Sequence, residues 1–253
     1  VAGLPMSSGW IRRFHPAPEA GTRLVCFPHA GGSATFYFPV SRAMSPGVDV
    51  LAVQYPGRQD RMYEPHVDDI PTLADRITEE LVRWADRPLT LFGHSMGATT
   101  AFEVARRLEA RGIVPLGLFA SGRRAPSRHR GEQVHLLDDD GLIRELRRLS
   151  GTDAEVLADE AILRMVLPAM RSDYRAVETY RYEPGPPLNC PVIALTADDD
   201  PLVEVAEARA WAQHTVAPFR IRVFTGGHFF VSAHAESVVG EITRHIEAAT
   251  TRR

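Results

Sequence analysis

Residues 89–111 read LTLFGHSMGATTAFEVARRLEAR. The apolar run 89–92 suits a short buried strand, residues 98–111 repeat apolar side chains at helical spacing, and Gly112 is a stop signal. Between them lies G-H-S-M-G at 93–97. A strand that passes straight into G-x-S-x-G and then into a helix holds its serine on a tight, strained turn, where small neighbours relieve the crowding. Gly93 and Gly97 supply those neighbours, so Ser95 is the candidate nucleophile. Without its strand and helix, the same pattern would be an ordinary glycine-flanked turn.

On either side, short apolar runs alternate with amphipathic stretches, which marks an α/β chain with a mainly parallel central sheet flanked by helices. Strands are expected over 10–14, 23–27, 49–53, 116–120, 192–196 and 220–224, and helices over 33–44, 70–85 and 236–249. Pro39 should interrupt or kink the first helix. Within 70–85, Leu73, Ile77, Leu81 and Trp84 share one face. The gap from 122 to 189 far exceeds the roughly 2–6 residues usual between such elements. It carries helical patterns over 140–149 and 160–180, and reads as a helical lid insertion. A single domain over 1–253 is expected, because one α/β core accommodates that length.

A serine hydroxyl is a weak nucleophile at neutral pH and needs a base within hydrogen-bond reach, itself oriented by a third group. Where such an elbow tops a parallel sheet, the partners follow in the order Ser, acid, His. His228 fits, since it follows Gly226 and Gly227 in the loop after the strand at 220–224; His234 is the fallback. The acid should come from the loop after 192–196, where Asp198, Asp199 and Asp200 stand together. Pro201 and Val203 place Asp200 at the close of that loop before a helix, which favours it, while capping and solvation would account for the other two. Oxyanion donors are expected from the backbone N–H of Met96, directly after the nucleophile, and of Ala30, in the loop Pro28-His29-Ala30-Gly31-Gly32. His29 has no His/Glu companion at helical ligand spacing, which argues against a metal there. No metal or organic cofactor is expected.

All 29 basic residues are arginine, set against 32 acidic ones, for a formal net charge of −3. A chain with no global basic field lacks the electrostatic footprint of a nucleic-acid binder. Cys26 and Cys190 lie in or beside apolar runs and read as packing residues. Residues 1–9 show no basic segment followed by an apolar one, and no apolar stretch approaches the ~20 residues of a membrane span. A soluble, cytoplasmic monomer is expected.

Five motifs then stand in order: F-P-H-A-G-G at 27–32, Y-P-G-R at 55–58, G-H-S-M-G at 93–97, D-D-D-P at 198–201 and G-G-H-F-F at 226–230. Together they resemble the type II thioesterases, stand-alone enzymes that accompany modular polyketide synthases and nonribosomal peptide synthetases. The resemblance spans almost the whole chain. It implies an α/β-hydrolase fold with a helical lid, and an acyl substrate carried on the phosphopantetheine arm of an acyl or peptidyl carrier protein. The implied role is editing, the hydrolysis of stalled or aberrant acyl groups. In one departure, Thr196-Ala197-Asp198 stands where many members have a glycine ahead of the aspartates, which leaves the choice among the three acids open.

A releasing or cyclising thioesterase domain would share the triad, but the first motif begins at 27 and leaves no room ahead of it for a fused carrier domain. A general carboxylesterase fits less well with the His and Met beside Ser95 and with Y-P-G-R. A non-catalytic scaffold would not need an intact Ser, Asp and His set. Arg123, Arg124, Arg128 and Arg130 cluster where the chain enters the insertion, with Arg144, Arg147 and Arg148 further on. They form either a docking face for an acidic carrier or an ordinary solvated surface.

Overall fold

The computed structural model describes residues 9–149 and 160–251. The reading of residues 1–9 therefore falls, except for Gly9, outside the described residues, as does 150–159 of the insertion. Strands β1 (Ile11–Arg12), β2 (Arg23–Phe27), β3 (Asp49–Val53), β4 (Leu89–His94), β5 (Gly117–Ser121), β6 (Val192–Ala197) and β7 (Phe219–Phe224) form one sheet in the order β1-β3-β2-β4-β5-β6-β7. Strand β1 is antiparallel to β3, pairing Ile11 with Val53, and the other neighbours run parallel. The first strand is shorter than its sequence pattern.

The helices are α1 (Phe38–Met44), α2 (Ile70–Val82), α3 (Met96–Glu109), α4 (Asp139–Leu149), α5 (Glu160–Thr179), α6 (Val205–Arg209), α7 (Phe230–Ala233) and α8 (Ala235–Thr251). Side chains alternate along the strands between two cores. From β2, Val25 and Phe27 join Leu73, Ile77 and Leu81 of α2 and Phe102 and Leu108 of α3 on one face. Leu24 and Cys26 point the other way, into a core closed by Met44 of α1 and Val238, Ile242 and Ile246 of α8. Each large aliphatic side chain fully buried here contributes about 1.5–3 kcal/mol. Cys26 and Cys190 are free, buried thiols, and burial pushes both up in pKa, as suits packing residues.

Local sequence sets the element ends. Asp69 caps α2, its carboxylate accepting from the Thr72 N–H at 2.8 Å. That helix stops at Val82, short of 85, because the chain tightens into Arg83 N–H to Glu80 and Trp84 N–H to Leu81 turns. Pro39 does not kink a longer helix. A 3-10 turn over Ala34–Tyr37 precedes α1, and Pro39 sits in the first turn of α1, where a missing N–H leaves nothing unpaired. Gly112, at φ +77°, closes α3: its N–H reaches Glu109 while that of Ile113 reaches Leu108. Among the described residues, no helix is long and apolar enough to cross a membrane.

Strand β4 and helix α3 are separated by Ser95 alone, so the strand runs two residues further and the helix starts two residues earlier than the apolar pattern suggests. This close passage depends on the flanking glycines. A Cβ on Gly97 would stand 2.1 Å from the Phe27 carbonyl oxygen, and one on Gly93 would stand 2.1 Å from the carbonyl oxygen of Gly97. Backbone cannot yield as a flexible side chain can, so Gly97→Ala should lower the unfolding free energy by about 3 kcal/mol. Urea unfolding followed by circular dichroism measures this, and a variant as stable as wild type would show that the elbow relaxes at no cost.

Candidate active site

The carboxyl ends of β2, β4, β5, β6 and β7 converge at one edge of the sheet, the position where open parallel sheets place their ligands. Ser95 leaves β4 at φ 55°, ψ −120°, a conformation that L-residues rarely adopt and that lifts the side chain clear of both strand and helix. Its N–H donates to the Ser121 carbonyl of β5 at 2.8 Å, which anchors the turn from the next strand.

His228 lies in the loop after β7 and is buried, with Nε2 3.0 Å from Ser95 Oγ. Its Nδ1 is 3.0 Å and 2.9 Å from the two carboxylate oxygens of Asp200. The Asp200 side chain is fully shielded and also accepts the Leu202 N–H at 2.9 Å. The two neighbouring acids are placed otherwise. Asp198 accepts the Gly226 N–H at 2.9 Å, tying the acid loop to the histidine loop, and Asp199 is exposed. His234 turns away to the Thr225 carbonyl at 2.9 Å.

Met96 opens α3, where N–H groups have no partner within the helix. The turn at 29–32 borders the same cavity as Ser95. There the Gly31 N–H donates to Asp173 at 2.7 Å and the Gly32 N–H to the His29 carbonyl at 2.9 Å. Ala30 lines the cavity beside Ser95, and among the described residues its N–H has no protein acceptor.

His29 packs edge-on against Phe36 and Phe229, with ring centroids 4.8 Å and 4.9 Å away. Burial, then electrostatic interaction with His228 and Arg58, pushes its imidazole down to about 3. His94, completely buried with Nδ1 3.1 Å from Ser121 Oγ, is likewise pushed well below the usual histidine range, mainly by burial. Two neutral imidazoles thus stand in a row at the site: the His94 ring centroid is 5.1 Å from that of His228 and 6.1 Å from that of His29.

A cavity of about 550 Å³ opens over Ser95 and His228, roofed by Leu137, Leu149 and Tyr174 from the segment between β5 and β6. A second cleft of about 400 Å³ meets it at Ala30 and Phe229 and is lined by Phe36, Leu146 and Met170. The arginines at the start of the insertion do not form one exposed basic face. Arg124 is buried, paired with Glu132 and donating to the Leu202 carbonyl. Arg130 forks onto Glu207 at 2.9 Å and 2.7 Å and also reaches Glu204. Arg123 lines the cavity and donates to Thr99 Oγ1 at 3.2 Å, and burial pushes its guanidinium down to about 10. Arg128 is exposed, as are Arg144, Arg147 and Arg148 of α4, the last paired with Glu145.

The sequence reading missed Asp173 altogether and noted Arg58 only as the end of a motif. These two form a buried, two-pronged ion pair at 2.6 Å and 2.8 Å. They lie 115 residues apart, and no local pattern links them.

A mostly parallel sheet with a strand-serine-helix elbow, and with acid and histidine reached in the order Ser, Asp, His, makes this an α/β hydrolase. Residues 22–249 match the thioesterase domain family. The chain is 57% identical to a probable cadicidin biosynthesis thioesterase of Streptomyces griseus over 93% of its own length and 65% of that protein. It is 49% identical to thioesterase PikA5 of Streptomyces venezuelae, covering 96% of this chain and 88% of the relative. The solved structure of BorB, a type II thioesterase from the borrelidin biosynthetic cluster, superposes with a TM-score of 0.91 at 53% identity, covering 96% of this chain and 99% of that one. The chain belongs to the thioesterase family, and the solved structures similar to it include the type II thioesterases BorB and YbtT, the latter from the yersiniabactin NRPS/PKS biosynthetic pathway.

The buried histidines predict how stability responds to acid. For His29 the folded pKa, about 3, lies below the ordinary 6.5, so between these values the unfolded chain binds a proton that the folded chain refuses. Stability is therefore fully present above pH 6.5 and is lost as pH falls toward 3, by up to about 1.4 kcal/mol per pH unit per such group. His94 acts in the same direction. Unfolding free energies measured in urea from pH 7 to 4 should show this slope, and His29→Gln should flatten it by about one proton. An unchanged slope in His29→Gln would mean that His29 titrates alike in both states.

Proposed function

We propose that the protein hydrolyses acyl thioesters borne on the phosphopantetheine arm of carrier proteins, clearing stalled or aberrant acyl groups from a polyketide or nonribosomal peptide synthase. The observation that carries the chemistry is the chain of contacts from Ser95 Oγ through His228 to Asp200, at 3.0 Å and 2.9 Å, opening directly onto the cavity.

In this reading Ser95 Oγ attacks the thioester carbonyl carbon while His228 Nε2 takes its proton. Asp200, bonded to Nδ1, fixes the tautomer and balances the imidazolium that forms. Charge developing on the carbonyl oxygen is met by the N–H groups of Met96 and Ala30, the former at the positive end of α3. The carbon-sulfur bond breaks, and the thiol leaves with the proton held by His228. Water, deprotonated by His228, then attacks the acyl-serine, and the acid departs as Ser95 regains its proton. A thiol is a good leaving group, so two backbone donors suffice. The segment 122–189 acts as a lid that shields the acyl-enzyme, with Leu137, Leu149 and Tyr174 over the reacting serine.

Ser95→Ala should reduce kcat for a short acyl-carrier thioester by a factor of the order of 10^6, the loss known for a model protease, with no change in circular dichroism. Asp200→Asn should cost up to ~10^4-fold through the imidazole tautomer, whereas Asp199→Asn stays near wild type. A fluorophosphonate should add once, to the peptide containing Ser95. Turnover above a few per cent in Ser95→Ala, or loss in Asp199→Asn equal to that in Asp200→Asn, would overturn the assignment.

A further inference from the structure

The turn that carries Ala30 contains Gly31 and Gly32, two residues whose backbone reorients cheaply, and Gly31 stands at φ +75°. A donor on such a turn is only as well aimed as the groups that hold it. Those groups come from outside. Asp173 of α5, 1% exposed, accepts the Gly31 N–H at 2.7 Å through Oδ2. The same carboxylate takes both prongs of Arg58, and Arg58 Nη1 donates in addition to the Gly32 carbonyl at 2.9 Å. Arg58 is itself fixed: its carbonyl accepts from Gln54 Nε2 at 3.2 Å, and its guanidinium lies 5.3 Å from the Tyr55 ring centroid. The Tyr55 hydroxyl donates to the Pro28 carbonyl at 3.2 Å, at the start of the same turn. Met170, one helical turn before Asp173, closes over Gly31, where an added Cβ would stand 2.6 Å from its Cε.

Fold stability alone does not explain this pairing, since a buried ion pair replaced by apolar residues often leaves a protein as stable as before. The placement of the charges is more specific. A lone carboxylate on the Gly31 N–H would put a buried negative charge beside the place where the carbonyl oxygen becomes negative. Arg58 neutralises it. Burial disfavours the Arg58 cation, and Asp173 more than offsets that, leaving its pKa raised.

We propose that Arg58 and Asp173 are positioning residues for the oxyanion donor: together they hold the 29–32 turn with the Ala30 N–H facing Ser95, and they make that alignment depend on α5 being docked. The inference rests on the assignment of Ala30 as an oxyanion donor.

The test compares Asp173→Ala, Asp173→Asn, Arg58→Met and the double variant Arg58→Met/Asp173→Asn in the full-length protein. Asparagine keeps an acceptor for the Gly31 N–H, and the double variant removes both charges. For each, kcat and KM on an acyl-N-acetylcysteamine thioester are measured with Tm. Inhibition constants are measured for an alkyl trifluoromethyl ketone, whose serine adduct carries an oxyanion, and for the matching thioether, which has none. Loss of one oxyanion donor costs about 10²–10³-fold in kcat in a well-studied protease. Asp173→Ala and Arg58→Met, which misaim a donor, should therefore lose about 10²-fold in kcat with KM within threefold. The ketone should weaken in step with kcat and the thioether should not. The double variant should recover at least part of the loss seen in Arg58→Met, because no unpaired carboxylate remains.

Wild-type kcat in folded variants, or a kcat loss with an unchanged ratio of ketone to thioether affinity, overturns the proposal. If Asp173→Ala or Arg58→Met fails to fold, Asp173→Asn decides: an amide cannot take both prongs of Arg58, so kcat and the ketone-to-thioether ratio should fall together, and wild-type values of both overturn the proposal. Ser95→Ala run alongside separates the two readings. Activity in Ser95→Ala removes the proposed site and this inference with it, whereas an inactive Ser95→Ala beside unaffected clamp variants removes this inference alone.

Discussion

Ser95 is held where an L-residue resists going, and much of the architecture near the site keeps it there. With a single residue between β4 and α3, the chain reverses by forcing φ to 55°, and only glycines at 93 and 97 let the helix pass the β2 backbone at that distance. Ser121 of β5 secures the turn from one side, its carbonyl on the Ser95 N–H and its hydroxyl on His94. His94 must then be buried and uncharged directly beneath the site. The strain costs of order 1–3 kcal/mol, which the two hydrophobic layers on either side of the sheet readily support. In exchange the hydroxyl stands proud of the sheet edge with a helix N-terminus aimed past it.

Charge is arranged in the same economical way. The site has one negative group against His228, namely Asp200, and a second carboxylate close by, Asp173, cancelled by Arg58. The acids that flank Asp200 are turned outward or used to tie loops together. Arg123 lines the cavity together with Arg130 and Arg148, and burial leaves its proton held less tightly than usual. An arginine-only basic complement suits such pairings, because the planar fork meets a carboxylate with two bonds, as at Arg58 and Arg130.

Features confined to a few consecutive residues could be read from the sequence, whereas features that need distant partners could not. The elbow, its glycines and the strands at 23–27 and 49–53 were legible because apolar runs and G-x-S-x-G are local patterns. His228 and Asp200 followed from chain order, and the choice among three adjacent aspartates rested on Pro201 and the helix beyond it. The structure brings Ser95, His228 and Asp200 together and leaves Asp198 and Asp199 aside. The arginine cluster misled because its partners, Glu132, Glu204 and Glu207, include two from a stretch some 75 residues on. Pro39 marked the interruption within 33–44, which falls where a 3-10 turn gives way to α1, with the proline in the first turn of the new helix. Asp173 had no signal at all, being an acidic residue in an amphipathic helix like many others.

Helix α5 belongs to two different hydrophobic clusters. Leu167 and Met170 pack with Leu142 and Leu146 of α4 in a small group of their own, while Ala176 and Val177 are part of the main core under the sheet. Asp173 lies between the halves. Among the described residues the outer half rests on a smaller group of side chains than the inner half, so amide hydrogen exchange should be faster toward the helix's N-terminal end. The two groups meet near Asp173 and Tyr174, where the helix grips the Ala30 turn. A helix packed this way carries one residue, Asp173, at the join of two cores, and through it the packing of the outer half bears directly on the Ala30 turn.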